Sequence, residues 1–186
     1  MAHLDDREEP YRLEVTGLGV HWVRKLGFTI DRPRGLGQYL LLRFYTPMLA
    51  RTAAGLEQGE PDDCLLYEPT FPQWFTGRGV GYTDDWLHIT GPGMPEVVGR
   101  YQVPVNTLFR PRQIDFFSPA LEAISRELYQ RERFWQHSVQ LLVGTLLLRL
   151  GRLATERAHL DLTPADLAHA EVLRSVRAEV HGRLQE

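Results

Sequence analysis

The chain has one cysteine, Cys64, and one lysine, Lys25, among its 186 residues. A single cysteine excludes an intrachain disulfide and leaves no basis for a Cys-based metal site. Cys64 lies in an apolar run and reads as a small buried hydrophobe. The basic residues are almost all arginine and are scattered, the formal net charge is −3, and there is no polybasic segment. Nucleic-acid binding needs clustered positive charge to neutralise phosphates, and this sequence carries no such footprint. Long apolar runs are also missing. The most apolar stretch, 139–150, is interrupted by Gln140, Thr145 and Arg149. A spanning helix takes about 20 predominantly apolar residues, so this stretch reads as a buried helix and no membrane partner is expected. The opening residues, MAHLDDREEPYR, are acidic and polar and do not form a signal peptide. A cytoplasmic location is the expectation.

Catalytic spacings are missing as well. Seven histidines are present, yet there is no H-x-H, no H-x-x-x-H, and no Glu placed to complete a pair around His21, His88 or His137. A metal-dependent barrel enzyme, an isomerase or dioxygenase, is the alternative to weigh. It would carry a histidine pair near the turn that here reads Thr70-Phe71-Pro72-Gln73-Trp74-Phe75, without a histidine. G-x-S-x-G is absent. The run Gly77-Arg78-Gly79-Val80-Gly81 lacks the strand–loop–helix context and the Lys-Ser/Thr ending of a phosphate loop, and reads as a hairpin loop. No enzyme activity, catalytic residue, cofactor or metal ligand is expected.

What is present is a series of short strand-like runs followed by helices. Residues 1–12 read as an arm with few apolar anchors. Strand patterns follow at 13–16, 19–24, 28–31, 38–46, 48–52, 56–58, 64–67 and 86–89, separated by Gly- and Pro-containing turns. A short helical turn is expected at 96–100 and one more strand at 106–110. This spacing predicts an antiparallel barrel or sandwich. Ser118-Pro119 reads as a helix start with Ser118 as N-cap, and Leu121, Ile124 and Leu128 follow helical spacing. A longer helix is marked by Phe134, Trp135, Val139, Leu142, Leu146, Leu150 and Leu153. Its apolar stripe, widened by Leu141, Leu147 and Leu148, exceeds what one core contact needs. A last helix is expected from Thr163, as N-cap, to Glu186.

The densest stretch is 64–91, where Phe71, Trp74, Phe75 and Trp86 fall between turn residues. On a strand, Asp84, Trp86 and His88 share one face while Asp85, Leu87 and Ile89 share the other. A Trp ring flanked by an acid and an imidazole suits an uncharged polyol or sugar, the ring covering C–H surface while the polar groups bond hydroxyls. The other reading makes Trp86 a core aromatic and His88 a satisfied core histidine.

The order of these motifs resembles the N-terminal effector-binding and dimerisation domain of AraC-type bacterial transcription regulators. The residues that carry the resemblance are Ile30-Asp31-Arg32-Pro33-x-Gly35, Tyr39-Leu40-Leu41-Leu42, Leu65-Leu66-Tyr67-x-Pro69 and Trp86-Leu87-His88-Ile89-Thr90-Gly91. It covers about 17–153. The resemblance implies an α+β fold, with a cupin-like antiparallel jelly-roll barrel followed by two packed helices and a C-terminal linker helix. It implies an arm at 1–12, an effector-binding barrel at 13–112, dimerisation helices at 113–157, and at 158–186 a linker with the first helix of a missing DNA-binding domain. The implied partners are a small polar, sugar-like effector, a second copy of the chain, and DNA only through a C-terminal helix-turn-helix domain absent from this sequence. The effector residues implied by the resemblance are Trp86, Asp84, Phe75, Thr46 and, from the arm, Tyr11, and the shared strand face adds His88. The implied dimer interface is Trp135, Val139, Leu142, Leu146, Leu150 and Leu153.

Overall fold

Eight strands come first and three helices last. The computed structural model describes residues 11–79 and 81–158. The strands are β1 (Glu14–Arg24), β2 (Thr29–Arg32), β3 (Tyr39–Phe44), β4 (Met48–Thr52), β5 (Gly55–Gly59), β6 (Cys64–Tyr67), β7 (Gln73–Gly77) and β8 (Tyr82–Thr90). The helices are α1 (Met94–Tyr101), α2 (Phe117–Gln130) and α3 (Trp135–Ala158). Pairing is antiparallel throughout, in two four-stranded sheets ordered β1-β8-β3-β6 and β2-β7-β4-β5. The α+β architecture expected from the sequence is present, with two antiparallel sheets and a helical layer.

The pleat of the first sheet sorts its side chains into two cores. On β3, Leu40, Leu42 and Phe44 join Leu65, Tyr67, Met48, Ala50 and Phe75 between the sheets. Leu41, Cys64, Leu66, Leu87 and Ile89 point the other way, into a core shared with all three helices. A β3 buried on both faces explains the unbroken apolar run Tyr39-Leu40-Leu41-Leu42, since alternation is lost when neither side meets water. Each fully buried Leu contributes about 1.5–3 kcal/mol, so the two cores hold the first sheet from both sides.

Several elements differ from the sequence expectation, each for a local reason. The separate strands at 13–16 and 19–24 are one strand, β1, kept in register with β8 by irregularities between Val15 and Gly17 and between Gly19 and Trp22. The turn-rich stretch 70–77 contains β7, an edge-adjacent pairing with β2 and β4 that Pro72 precedes and does not interrupt. The strand expected at 106–110 is only a single bridge between Cys64 and Phe109. Asn106 sits at φ 55°, and its side chain instead bonds Glu68, Oδ1 accepting from the Glu68 amide at 3.0 Å and Nδ2 donating to Glu68 Oε2 at 2.7 Å. The short turn expected at 96–100 is a full helix, α1, with Pro95 in its first turn. Ser118 does not cap α2. The N-cap position is Phe116, and the Ser118 hydroxyl is engaged with Asp85, Arg43 and Tyr45.

The described residues up to Ala154 belong to one compact unit. The helix expected at 163–186 lies outside the described residues, as do 1–10 of the arm.

Helix α3 shows which apolar residues are available for a partner. Val139, Leu146 and Leu150, expected at a dimer interface, are instead buried in the protomer's own core, and Trp135 and Leu142 pack against it. Leu153 is half-buried. The helical repeat carries that row onto the sheet and leaves Leu141 and Leu148, 52% and 45% exposed and seven residues apart, on the outer face.

Candidate functional site

A cavity of about 120 Å³ opens between the two sheets, with Ile30, Leu40, Leu42 and Phe75 as its apolar lining. Its polar lining is Arg24, Arg32, Tyr82, Asp84, Trp86 and His88. Four of these six are the alternate residues of β8, which the period of two delivers to one face. Asp85, Leu87 and Ile89 face the opposite way and are fully buried.

Trp86 is placed by glycine. Across the sheet, Gly17 pairs with His88 and Gly19 with Trp86. A Cβ at Gly19 would overlap the Trp86 indole, and one at Gly17 would press on its far edge at 3.2 Å. The indole therefore lies over bare β1 backbone, an aromatic covering glycines across the strand pair. Its ring also meets Trp22 edge-on at 6.3 Å and sits 5.0 Å from the His88 imidazole.

Arg24 reaches the cavity because of the β1 irregularity. Between the two irregularities the odd-numbered Gly17 and Gly19 oppose the cavity face of β8. After the shift the even ones do, so that Trp22 pairs with Asp84 and Arg24 with Tyr82. The Arg24 guanidinium lies over the rings of Phe28 at 4.7 Å and Trp22 at 5.3 Å, cation–π contacts that hold it without a carboxylate. Arg32 comes from the Asp31-Arg32-Pro33-Arg34-Gly35 motif. It ends β2, and its carbonyl accepts the Gly35 amide at 2.9 Å in a tight turn. Gly35 has φ +71° and faces the Pro69 carbonyl, so only glycine closes this turn without strain. The Arg32 Nη1 donates to Gln73 Oε1 at 3.0 Å.

Burial sets the protonation of the site. It pushes the Asp84 carboxyl up to about 7, against the pull of Arg24 and with a smaller push from Asp85. It pushes His88 down to about 4, with Arg32 adding to the effect. The Tyr82 hydroxyl is raised, first by burial and then by Asp84. At neutral pH the imidazole is therefore neutral and the Asp84 carboxyl retains part of its proton.

Among the described residues, the buried side-chain polar atoms without a hydrogen-bond partner are Arg24 Nε, Gln73 Nε2, Tyr82 Oη, Asp84 Oδ1 and Trp86 Nε1. Four of the five belong to cavity-lining residues. Buried polar atoms are nearly always paired, and leaving one unpaired costs about 1–3 kcal/mol. The unpartnered atoms are thus concentrated on residues that line one cavity. No three His, Cys, Asp or Glu side chains gather as a metal site among the described residues.

Of the residues expected to contact an effector, the structure brings Trp86, Asp84, His88 and Phe75 together. Thr46 is elsewhere, its hydroxyl accepting the Thr83 amide at 3.2 Å beyond the end of β3. Tyr11 is also elsewhere. Its hydroxyl is 3.2 Å from that of Tyr101, its amide donates to Gln140 at 3.0 Å, and its ring lies against Gly144 of α3. Sequence reasoning missed Arg24, Arg32 and Tyr82. Tyr82 was reachable by extending the alternation of β8 by one step, and Arg32 lies inside a quoted motif. Arg24 was not reachable, because its face depends on the strand irregularity.

No protein-family model matches the chain, and no curated protein matches it. Among solved structures it is similar to the AraC-like transcriptional activator CuxR, with a TM-score of 0.41 and 10% identity over 74% of this chain and 59% of that one. It is also similar to unsaturated fatty acid-bound ToxT from Vibrio cholerae, with a TM-score of 0.43 and 8% identity over 80% of this chain and 57% of that one. The chain thus spans less than two thirds of the length of either. Likeness of this degree assigns neither a ligand nor an activity.

Proposed function

We propose that this chain is the sensory domain of an AraC-type transcription regulator, binding a small polar effector between its two sheets. The observation that carries this is the convergence of four unpartnered buried polar atoms, on Arg24, Tyr82, Asp84 and Trp86, around one cavity of about 120 Å³. A barrel serving only as a scaffold has no reason to leave them unpaired. The ordered sequence motifs supply the family, and the α+β fold agrees with it. The role is recognition and not catalysis. Trp86 beside Asp84 suits a sugar-like guest, the face of the ring covering C–H groups while the acid bonds a hydroxyl.

The second part of the reading is pairing with another copy of the chain through the outer face of α3, where Leu141 and Leu148 are exposed. In this reading DNA is contacted by a helix-turn-helix domain and not by the described residues, and the regulator works in the cytoplasm. Replacing Trp86 with Ala tests the pocket. Ligand binding raises the unfolding temperature by mass action, so the variant should stay folded and lose the stabilisation that an effector gives the parent. Unchanged stabilisation would move the binding site elsewhere.

A further inference from the structure

The polar lining of the cavity is lopsided toward donors. Tyr82 Oη, Trp86 Nε1 and Arg24 Nε are unpartnered donors, and Arg32 adds a guanidinium that already holds Gln73 through one nitrogen. The acceptor on the same wall is Asp84 Oδ1. Neither Arg24 nor Arg32 forms an ion pair with a described residue, whereas Arg43, Arg78, Arg100 and Arg110 do. The two charges also oppose each other: Arg32 is lowered from its usual pKa, first by burial and then, against a pull from Tyr82, by the Arg24 charge.

A sugar brings a donor with nearly every acceptor, and here its hydroxyl hydrogens would face a wall of N–H and O–H groups. A carboxylate brings acceptors only, and guanidinium pairs with it through parallel hydrogen bonds. Two guanidinia without an ion-pair partner among the described residues are costly in a partly buried site, and an incoming anion relieves both. The rest of the lining, Leu40 and Leu42 beside His88 and Trp86 on one sheet and Ile30 and Phe75 on the other, offers nothing to a second charged group. Size narrows the guest further. A cavity of about 150 Å³ admits benzene, so one of about 120 Å³ holds a molecule of roughly six heavy atoms. From this placement we infer that the effector is a small monocarboxylate, its carboxylate between Arg24 and Arg32 with Tyr82 donating to it, and its short apolar tail against Ile30, Leu42 and Phe75. The inference rests on the pocket proposed above and replaces the sugar-like guest with an anionic one.

Butyrate and butyramide form a matched pair of probes, equal in size and differing in charge. The full chain is titrated with sodium butyrate, butyramide, L-arabinose and sodium phosphate at constant ionic strength, reading the unfolding temperature and the heat of binding. The expected result is a concentration-dependent rise with butyrate, at least tenfold weaker binding of butyramide, and no saturable binding of arabinose or phosphate. Arg32→Met should weaken butyrate at least tenfold and leave the weak butyramide binding unchanged, with Arg32→Lys recovering part of the loss. Should Arg32→Met not fold, Arg24→Met, on the facing sheet, gives the same contrast. Equal binding of butyrate and butyramide, or tighter binding of arabinose, overturns the carboxylate assignment while leaving the pocket standing. Phosphate binding better than butyrate overturns it too, in favour of an inorganic anion. If no probe binds, or if butyrate binding survives Ile30→Trp, which places an indole in the cavity lining, both the assignment and the pocket fail.

Discussion

Asp84 and Asp85 are neighbours on β8 and face opposite sides of the sheet, one with an unpaired carboxylate oxygen at the cavity and the other fully bonded against α2. Asp85 Oδ1 accepts the His21 amide at 2.7 Å, and Oδ2 accepts the Tyr45 and Ser118 hydroxyls at 2.7 and 2.8 Å. Arg43 extends this network, donating to Ser118 at 3.1 Å and to Asp62 at 2.7 Å. The wall that would meet an effector is thus continuous, through one peptide bond, with the contact that fixes the first sheet to a helix. Burial first, and then Asp85 against the opposing effects of Ser118 and Arg43, pushes the Tyr45 hydroxyl up to about 12, so it remains a donor to Asp85 at any physiological pH.

Removing Asp85 should damage the fold and not the cavity. Asp85→Ala leaves the His21 amide and two hydroxyls without their acceptor, and a loss of about 2–4 kcal/mol is expected. Ser118→Ala removes one link and should cost about 1–2 kcal/mol. Urea unfolding checks both, with an unchanged slope showing that the loss is in stability. A cost below 0.5 kcal/mol for Asp85→Ala would mean the network is not formed.

The pH dependence of stability should be nearly flat in mildly acidic solution because two buried groups oppose each other. Asp84 keeps its proton in the folded state up to about 7 but sheds it in the unfolded chain near 3.8. Its contribution is therefore lost as pH rises between those values, where the folded state holds more protons. His88 stays neutral in the folded state down to about 4 but takes up a proton near 6.5 when unfolded. Its contribution is lost as pH falls from about 6.5 to about 4. Asp84→Asn should expose the His88 loss, stability falling on acidification. His88→Gln should expose the opposite slope. Each pKa unit is worth about 1.4 kcal/mol, so slopes of that order per pH unit are the upper bound. Denaturant midpoints at pH 4.5, 5.5 and 6.5 decide the signs, and parallel profiles for the two variants would contradict the assignment.

Gly19 should matter for binding more than its position on a strand suggests. Gly19→Ala places a methyl group in the Trp86 indole, and the ring can yield only toward the cavity or Trp22. Strand propensity alone would favour the change by a few tenths of a kcal/mol. The clash is expected to outweigh it, lowering stability by about 1–3 kcal/mol and weakening effector binding at least tenfold. Trp fluorescence and ligand-dependent unfolding temperature together read both effects. Normal binding in a stable variant would show that the indole is free to move.

The outer face of α3 should set the oligomeric state. Sedimentation at micromolar concentration is expected to show a dimer, and Leu141→Glu with Leu148→Glu should give a folded monomer, since both residues are solvent-facing within the protomer. The same substitution at Leu146 or Leu150 should instead unfold the chain, because those side chains lie in its own core. A parent chain that stays monomeric would remove pairing from the account.

Much of the architecture was legible in the sequence because period-two alternation and turn chemistry act locally. The sorting of Asp84, Trp86 and His88 from Asp85, Leu87 and Ile89 follows from the pleat alone. What escaped depended on long-range pairing. β7 hides among Pro72, Trp74 and Gly77 because its strand character comes from pairing with β2 and β4. Arg24 reaches the cavity only because of an irregularity that its sequence does not announce. Ser118 looks like a cap, yet its hydroxyl finds a stronger partner in Asp85, across the interface between sheet and helix. On α3 the apolar stripe was visible, but which part faces inward depends on the sheet beneath it.

The central claim is that the cavity between the sheets receives a small molecule. Thermal unfolding of the parent chain and of Ile30→Trp, measured side by side against a panel of short carboxylates and pentoses, tests it most directly. The account predicts that at least one compound raises the parent's unfolding temperature in a concentration-dependent way and leaves the filled variant unmoved. No shift with any compound, or equal shifts in both proteins, would contradict it.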